Sequence, residues 1–279
     1  MRAIKAILIR NLTNFSRDRM RLFFTLFMSV FFLFIFSFVM KATAGDPAGG
    51  ITHPMNYLIS GIIIMTVFQG ALNNSMNIIE DISGGFMKEI LVAPIARWQI
   101  SVGQVLSSTA VAVLQGLIII VMGMFMGLQL DFLHFLVMVG IMILVGLTFS
   151  ALGLLLATLS KSSSAFQIMI TVVVMPLTFL SGAYIPTTVI PAILRPVIYL
   201  NPLTYTTSVF RVIALRMEGF SATALVKAGI AFNIGGFIVM PQVALCMVLA
   251  MGAVFFALCV HQFNRADFSR VRVFRHERH

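Results

Sequence analysis

Charge is scarce in this sequence. Nine acidic and 19 basic residues are spread over 279 positions, where a soluble chain of that length carries roughly 70 charged side chains. So few charges cannot clothe a globular surface in water. With 59% hydrophobic residues and a mean hydropathy of +1.02, a soluble enzyme or soluble binding module is excluded. Cysteine is nearly missing as well. Cys246 and Cys259 stand 13 residues apart in one apolar stretch, roughly 20 Å along a helix and beyond disulfide reach. They support neither a disulfide scaffold nor a metal cluster.

Motifs are absent too. No G-x-x-x-x-G-K-[ST] segment occurs and no lysine follows a glycine, so nothing cradles a nucleotide phosphate in the P-loop manner. No H-E-x-x-H or Cys/His spacing suggests a metal site, and His276-Glu277-Arg278-His279 reads as a solvated basic end. The centres of the long apolar runs also lack ionisable residues, which mark proton relays and ion paths in membrane proteins. A proton-coupled carrier or an ion channel is therefore disfavoured. The energy for any transport must come from elsewhere.

The apolar runs themselves define the fold class. A spanning helix needs about 20 mostly apolar residues, and six stretches meet that length, near 22–40, 57–77, 99–127, 133–158, 165–184 and 241–262. The expectation is an all-α polytopic membrane protein, one transmembrane domain over 1–279. Six spans put both termini on one face. That arrangement leaves Lys41, Arg195, Arg211, Arg216 and Lys227 outside and the other 14 of the 19 basic residues inside, so both ends are expected in the cytoplasm. A seventh span around 222–240 would export the five-arginine tail within 263–279 and is rejected. The first run is too long for a signal-peptide core despite the small residues Ala42 and Ala44. The +10 net charge, placed this way, suits an anionic leaflet and not nucleic acid.

Residues 1–20 place Ile4, Ile7, Leu8, Leu12 and Phe15 on one helical face, the pattern of an amphipathic helix lying in the cytoplasmic interface. Polar groups are clustered on particular spans. Gln104, Ser107, Ser108, Thr109 and Gln115 on the third read as hydrogen-bonding glue between helices. Gln69 and Asn73 on the second, with Thr171, Thr178 and Ser181 on the fifth, could do the same or line a translocation path. Pro176 should kink the fifth span. The eight phenylalanines within 22–40 face lipid or packing. Between the fifth and sixth spans, Pro186, Pro191, Pro196 and Pro202 break two apolar pieces too short to cross. They suit a re-entrant external hairpin bent at Asn201-Pro202.

The loop 77–98 is the densest polar feature on the inner side. Glu80 and Asp81 close the second span, and Gly84-Gly85 interrupt the helix. Residues 86–92 can then form two turns that stop before Pro94. Phe86 pairs with Ile90 and Met87 with Leu91 at i,i+4, leaving Lys88 and Glu89 to the side. That apolar face needs a partner surface.

Here a family resemblance becomes legible. The run Glu80-Asp81…Gly85-Phe86…Leu91-Val92-Ala93-Pro94-Ile95-Ala96-Arg97…Gly103 resembles the cytoplasmic loop of ABC-2 type permeases. The run Pro176-Leu177-Thr178-Phe179-Leu180-Ser181-Gly182…Pro186…Pro191…Asn201-Pro202-Leu203-Thr204…Arg211 is similar to that family's fifth-helix and outer-loop signature. Where many relatives carry an Arg-Glu-x-Gly-Thr-like stretch, this chain has Ser83-Gly84-Gly85-Phe86-Met87, which resembles the drug and antibiotic-resistance branch. The resemblance implies a non-enzymatic transport subunit of the inner membrane that forms a homodimer or heterodimer on separate ABC ATP-binding subunits. ATP and Mg would sit on the partner, with no cofactor on this chain. Glu80, Asp81, Gly85, Phe86, Met87, Glu89, Ile90, Leu91, Pro94 and Arg97 would form the ATPase-coupling loop. Gln69, Asn73, Thr171, Thr178 and Ser181 would line the path, and Pro186, Pro191, Asn201 and Pro202 the external gate. The implied function is export of a lipophilic, drug-like compound by alternating access. Export of a polysaccharide, lipo-oligosaccharide or glycolipid is the alternative.

Overall fold

A computed structural model describes residues 2–43, 54–83, 96–126, 128, 130–160, 162–184, 190–234 and 237–265. The long elements follow directly from the apolar runs. Helix α1 (Arg2–Arg17) is followed by α2 (Arg19–Thr43), α3 (Pro54–Asn74) and the short α4 (Met76–Ser83). After them come α5 (Arg97–Phe125), α6 (Phe132–Leu159) and α7 (Ser163–Leu180). Five stretches are long and apolar enough to cross a bilayer: 56–82 across α3 and α4, then α5, α6, α7 and the last helix, Pro241–Arg265. The expected span 22–40 lies inside α2. Helix α2 has 25 residues, and its apolar stretch among the described residues is Phe23–Ile35. Five candidate spans are thus counted among the described residues.

The centre of the bundle is α3 packed between α5 and α6. Small residues permit the approach. A Cβ at Gly116 of α5 would strike Val67 and Met142, and one at Gly153 of α6 would strike Ser75 and Leu72. Phe68 of α3 meets Phe149 of α6 edge-on at 4.6 Å. By contrast α7 buries only Phe166, Ile170 and Thr178, so most of its surface faces lipid or another chain.

Helix α1 is amphipathic, and its buried face consists of Ile7, Asn11 and Phe15, an i, i+4, i+8 stripe. That stripe packs against the first half of α5, where Gly103 leaves room for the Ile7 side chain. The expected interfacial helix is thus held against a span as well as displaying its polar face.

The segment between α7 and the last helix departs furthest from an extended loop. A 3-10 turn, Ala192–Leu194, leads into α8 (Arg195–Leu200) and α9 (Pro202–Ala214). Twelve of the 13 residues of α9 are buried, because it lodges among α3, α6 and the last helix. Residues 222–240 form α10 (Ala222–Lys227) and an antiparallel pair, β1 (Phe232–Ile234) with β2 (Phe237–Val239), before α11 (Pro241–Arg265). No seventh span runs through them, since α10 has six residues and each strand three. This hairpin is the one exception to helix among the described elements. Nearby, Arg216 pairs with Asp131 at 3.0 Å and Glu218 with His134 at 3.2 Å, tying the start of α6 to the residues after α9.

Candidate translocation groove

A groove of about 270 Å³ opens between α2 and α3. Phe24, Met28 and Phe32 recur every fourth residue on α2 and form its apolar wall. From α3, Met65, Gln69 and Asn73 face it with the same spacing. Midway, the hydroxyls of Ser29 and Thr66 meet at 3.2 Å, and Thr66 donates to the Ile62 carbonyl at 2.9 Å. This pair spans the groove floor and fixes α2 on α3. One end is closed by Tyr184, whose ring stacks on Phe32 with centroids 5.7 Å apart. Gln115 of α5 and Gly70 of α3 form the back wall.

Towards the α1–α2 junction the groove continues into a second chamber of about 460 Å³ that shares Phe24 and Asn73. Asp18, Asn77, Glu80 and Gln167 line it, and among the described residues no lysine or arginine belongs to either lining. Two carboxylates therefore stand at one mouth of a cleft whose interior is apolar with uncharged amides. Such a cleft tolerates a lipophilic guest and disfavours a bare anion.

Around Asp81, polar contacts join three helices. Its Oδ2 accepts from Arg10 of α1 and, at 3.3 Å, from Gln104 of α5. Asn11, 3% exposed, donates through Nδ2 to Gln104 Oε1 at 2.9 Å and to Ser107 Oγ at 2.8 Å. Asp81 is thus engaged by α1 and α5, and the neighbouring Glu80, an exposed residue, lines the second chamber. Arg97 opens α5 and donates to the Asn264 carbonyl near the end of α11 at 3.1 Å. Gly85, Phe86, Met87, Glu89, Ile90, Leu91 and Pro94 lie outside the described residues.

The polar residues expected along the path are not gathered in one place. Gln69 and Asn73 share the groove, but the fifth-span group does not join them. Thr171 is exposed and donates to the Gln167 carbonyl at 2.8 Å. Thr178 and Ser181 are buried at the opposite end of α7, where Ser181 donates to the Thr178 carbonyl at 2.8 Å and accepts from the Ala183 amide at 3.1 Å. Of the expected gate residues, Pro186 lies outside the described residues and Pro191 is exposed. Asn201 caps α9 by accepting from the Leu203 amide at 2.9 Å, and its amide donates to the Leu177 carbonyl of α7 at 2.8 Å. Pro202 follows as the first residue of that helix.

Two residues escaped sequence reasoning. Arg211, one of the basic residues expected outside, is 1% exposed. Its Nη1 and Nη2 donate to the carbonyls of Gly182 and Ala183, and its guanidinium covers the Tyr57 ring. Only its place at the end of the outer-loop signature hinted at this. Gln115, expected to bond to a neighbouring helix, has its Oε1 buried without a hydrogen-bond partner among the described residues.

Several helices long and apolar enough to cross a bilayer, packed as one bundle, mark a multi-pass membrane protein. Residues 2–215 match the ABC-2 type transporter family, and the chain belongs to that family. Among its relatives is ycf38 of Cyanophora paradoxa, named as a transport permease, 31% identical over 65% of this chain and 63% of its own. YadH of Escherichia coli, named as an inner membrane transport permease, is 28% identical over 66% of this chain and 71% of its own. YbhR of the same organism, named as a multidrug ABC transporter permease, is 26% identical over 57% and 44%. The chain spans less than two thirds of the length of the ycf38 relative.

Proposed function

We propose that this chain is the transmembrane subunit of an ATP-driven exporter that moves a lipophilic, drug-like compound out across the cytoplasmic membrane. The observation that carries the reading is the cleft between α2 and α3, where Phe24, Met28 and Phe32 face Gln69 and Asn73 and, among the described residues, no basic side chain intrudes. A polyanionic glycan would find no compensating cation there. Family membership and the names of YadH and YbhR support an inner-membrane transporter of this kind.

In this reading α2 supplies a sixth span, both termini are cytoplasmic, and two copies or two related subunits face each other across their grooves. Residues 84–92 dock in an ABC ATP-binding subunit, which holds ATP and Mg. The region 186–211, bent at Asn201-Pro202, dips into the outer leaflet and caps the path. Closing of the ATPase pair rocks the subunits and exposes the groove to the outside. Thr171, on the exposed face of α7, belongs to the path through the subunit contact, while Thr178 and Ser181 belong to the cap.

The test is ATP turnover by the complex in proteoliposomes with a lipophilic cation, a neutral lipophile or an acidic polysaccharide. Stimulation by the lipophiles is expected. Stimulation by the polysaccharide alone overturns the reading in favour of glycan or glycolipid export.

A further inference from the structure

Two rows of side chains face each other across the groove between α2 and α3. The row on α2 is apolar and exposed: Phe24, Met28 and Phe32. The row on α3 is Gln69 and Asn73, and it continues through Asn77 of α4 into the second chamber. Phe24 and Asn73 belong to both chambers, so the rows run side by side along the groove. Eight residues of helix rise about 12 Å. The chambers, of about 270 and 460 Å³, admit a guest of that length.

Hydroxyls and amides of the groove differ in their bonding. Ser29 donates to the Thr25 carbonyl at 3.0 Å and Thr66 to that of Ile62 at 2.9 Å, so both are satisfied within the chain. The amide row is not. Among the described residues no side-chain hydrogen bond reaches Gln69, Asn73 or Asn77, nor Gln167 of α7 in the second chamber. Asp18 and Glu80 of that chamber have partners of their own. The free hydrogen-bonding capacity therefore lies in carboxamides, which carry no charge and both donate and accept. They suit neutral hydroxyl or carbonyl groups and give an ionic guest no counter-charge. The apolar row decides the guest's shape. Because both rows follow the length of the groove, a matching guest is polar along one flank and apolar along the other. A molecule with a polar head at one end and an apolar tail at the other leaves half of each row unmatched.

We propose that the groove binds neutral facial amphiphiles, rigid fused-ring compounds with hydroxyl or carbonyl groups along one flank. Gln69 and Asn73 bond that flank, and Phe24, Met28 and Phe32 cover the other. As a substrate class this rests on the transport reading above, whereas binding is a property of this chain alone. Equilibrium binding of tritiated ligand to the purified full chain in nanodiscs tests it, with uptake by empty nanodiscs subtracted. Methyl cholate is a neutral steroid with hydroxyls on one face, and methyl cholanate is the same skeleton without them. Dodecyl maltoside, with its polar head and apolar tail at opposite ends, serves as competitor.

The parent should bind methyl cholate about tenfold more tightly than methyl cholanate. The Gln69→Leu, Asn73→Leu double variant should lose about tenfold for methyl cholate and hold methyl cholanate within about threefold. The Gln69→Asn, Asn73→Gln double variant keeps both carboxamides and should hold methyl cholate within about threefold. Equal parent affinity for the two steroids overturns the proposal, as does unchanged methyl cholate binding in the leucine variant. So does an equal loss of both steroids there, which marks the amides as packing. Displacement by dodecyl maltoside as effective as that by unlabelled methyl cholate also overturns it, in favour of a head-to-tail guest such as a glycolipid. Intact, amide-dependent binding without ATP-driven export would defeat the transport reading and leave this site standing. Export of lipophiles without such binding would do the reverse.

Discussion

The guanidinium carbon of Arg211 lies 3.4 Å from the centroid of the Tyr57 ring. Its two terminal nitrogens reach the carbonyls of Gly182 and Ala183. One cation therefore joins α9, the start of the α3 span and the residues that follow α7. No carboxylate pairs with it among the described residues. The charge is held by backbone dipoles and a ring face, an arrangement that needs the planar fork of arginine. Lysine offers a point charge and cannot stack or bridge in the same way. Arg211→Lys should destabilise the purified chain by about 2–3 kcal/mol, and Arg211→Leu by at least as much, since two buried carbonyls lose their donors. Chemical unfolding in nanodiscs measures both. Parent stability in the leucine variant would show that the contact contributes nothing.

Asn201 uses both ends of its amide, capping α9 and reaching the Leu177 carbonyl. Asn201→Ala should cost about 1–2 kcal/mol. Asn201→Asp keeps the cap and loses the donor to α7, so its loss should fall between the two. If aspartate is as damaging as alanine, the link to α7 and not the cap is what matters.

The contacts among Arg10, Asn11, Asp81, Gln104 and Ser107 bind α1 to α4 and α5. Asp81→Ala should loosen α1, seen as faster amide exchange over residues 2–17 with little change over α6. Asn11→Leu should do the same, because Gln104 loses its donor. Protection of α1 at the parent level in both variants would refute this attachment.

Coupling is tested in the loop that follows α4. Seating Phe86 and Ile90 in a partner groove would contribute on the order of 1.5–3 kcal/mol per side chain. Phe86→Asp is expected to weaken association with the ATPase, or to separate hydrolysis from transport, while insertion proceeds. Transport at the parent rate would remove residues 84–92 from that role.

Single cysteines decide the topology. Placed at Asp46 and Glu218 they should react with an impermeant thiol reagent in intact cells; placed at Lys161 and Arg272 they should not. Reaction at Arg272 would contradict a cytoplasmic C terminus.

Much of the architecture was legible in the sequence because exclusion of charge from a bilayer acts residue by residue. The runs that became α5, α6, α7 and α11 announce themselves through uninterrupted apolar length, whatever surrounds them. The family signature around Asn201-Pro202 was legible for a similar reason, since a proline ring and a capping amide dictate a bend locally. What the sequence could not decide is which polar group meets which partner. Arg211 and Gly182 are separated by 29 residues, and nothing local distinguishes a loop arginine in water from one enclosed by α3 and α9. Gln104 and Gln115 lie on the same helix with the same chemistry, yet one has Asn11 beside it and the other has only the notch of Gly70. Hydropathy is a property of a segment, whereas satisfaction of a buried hydrogen bond depends on the approach of a second segment. Only the packed helices decided that.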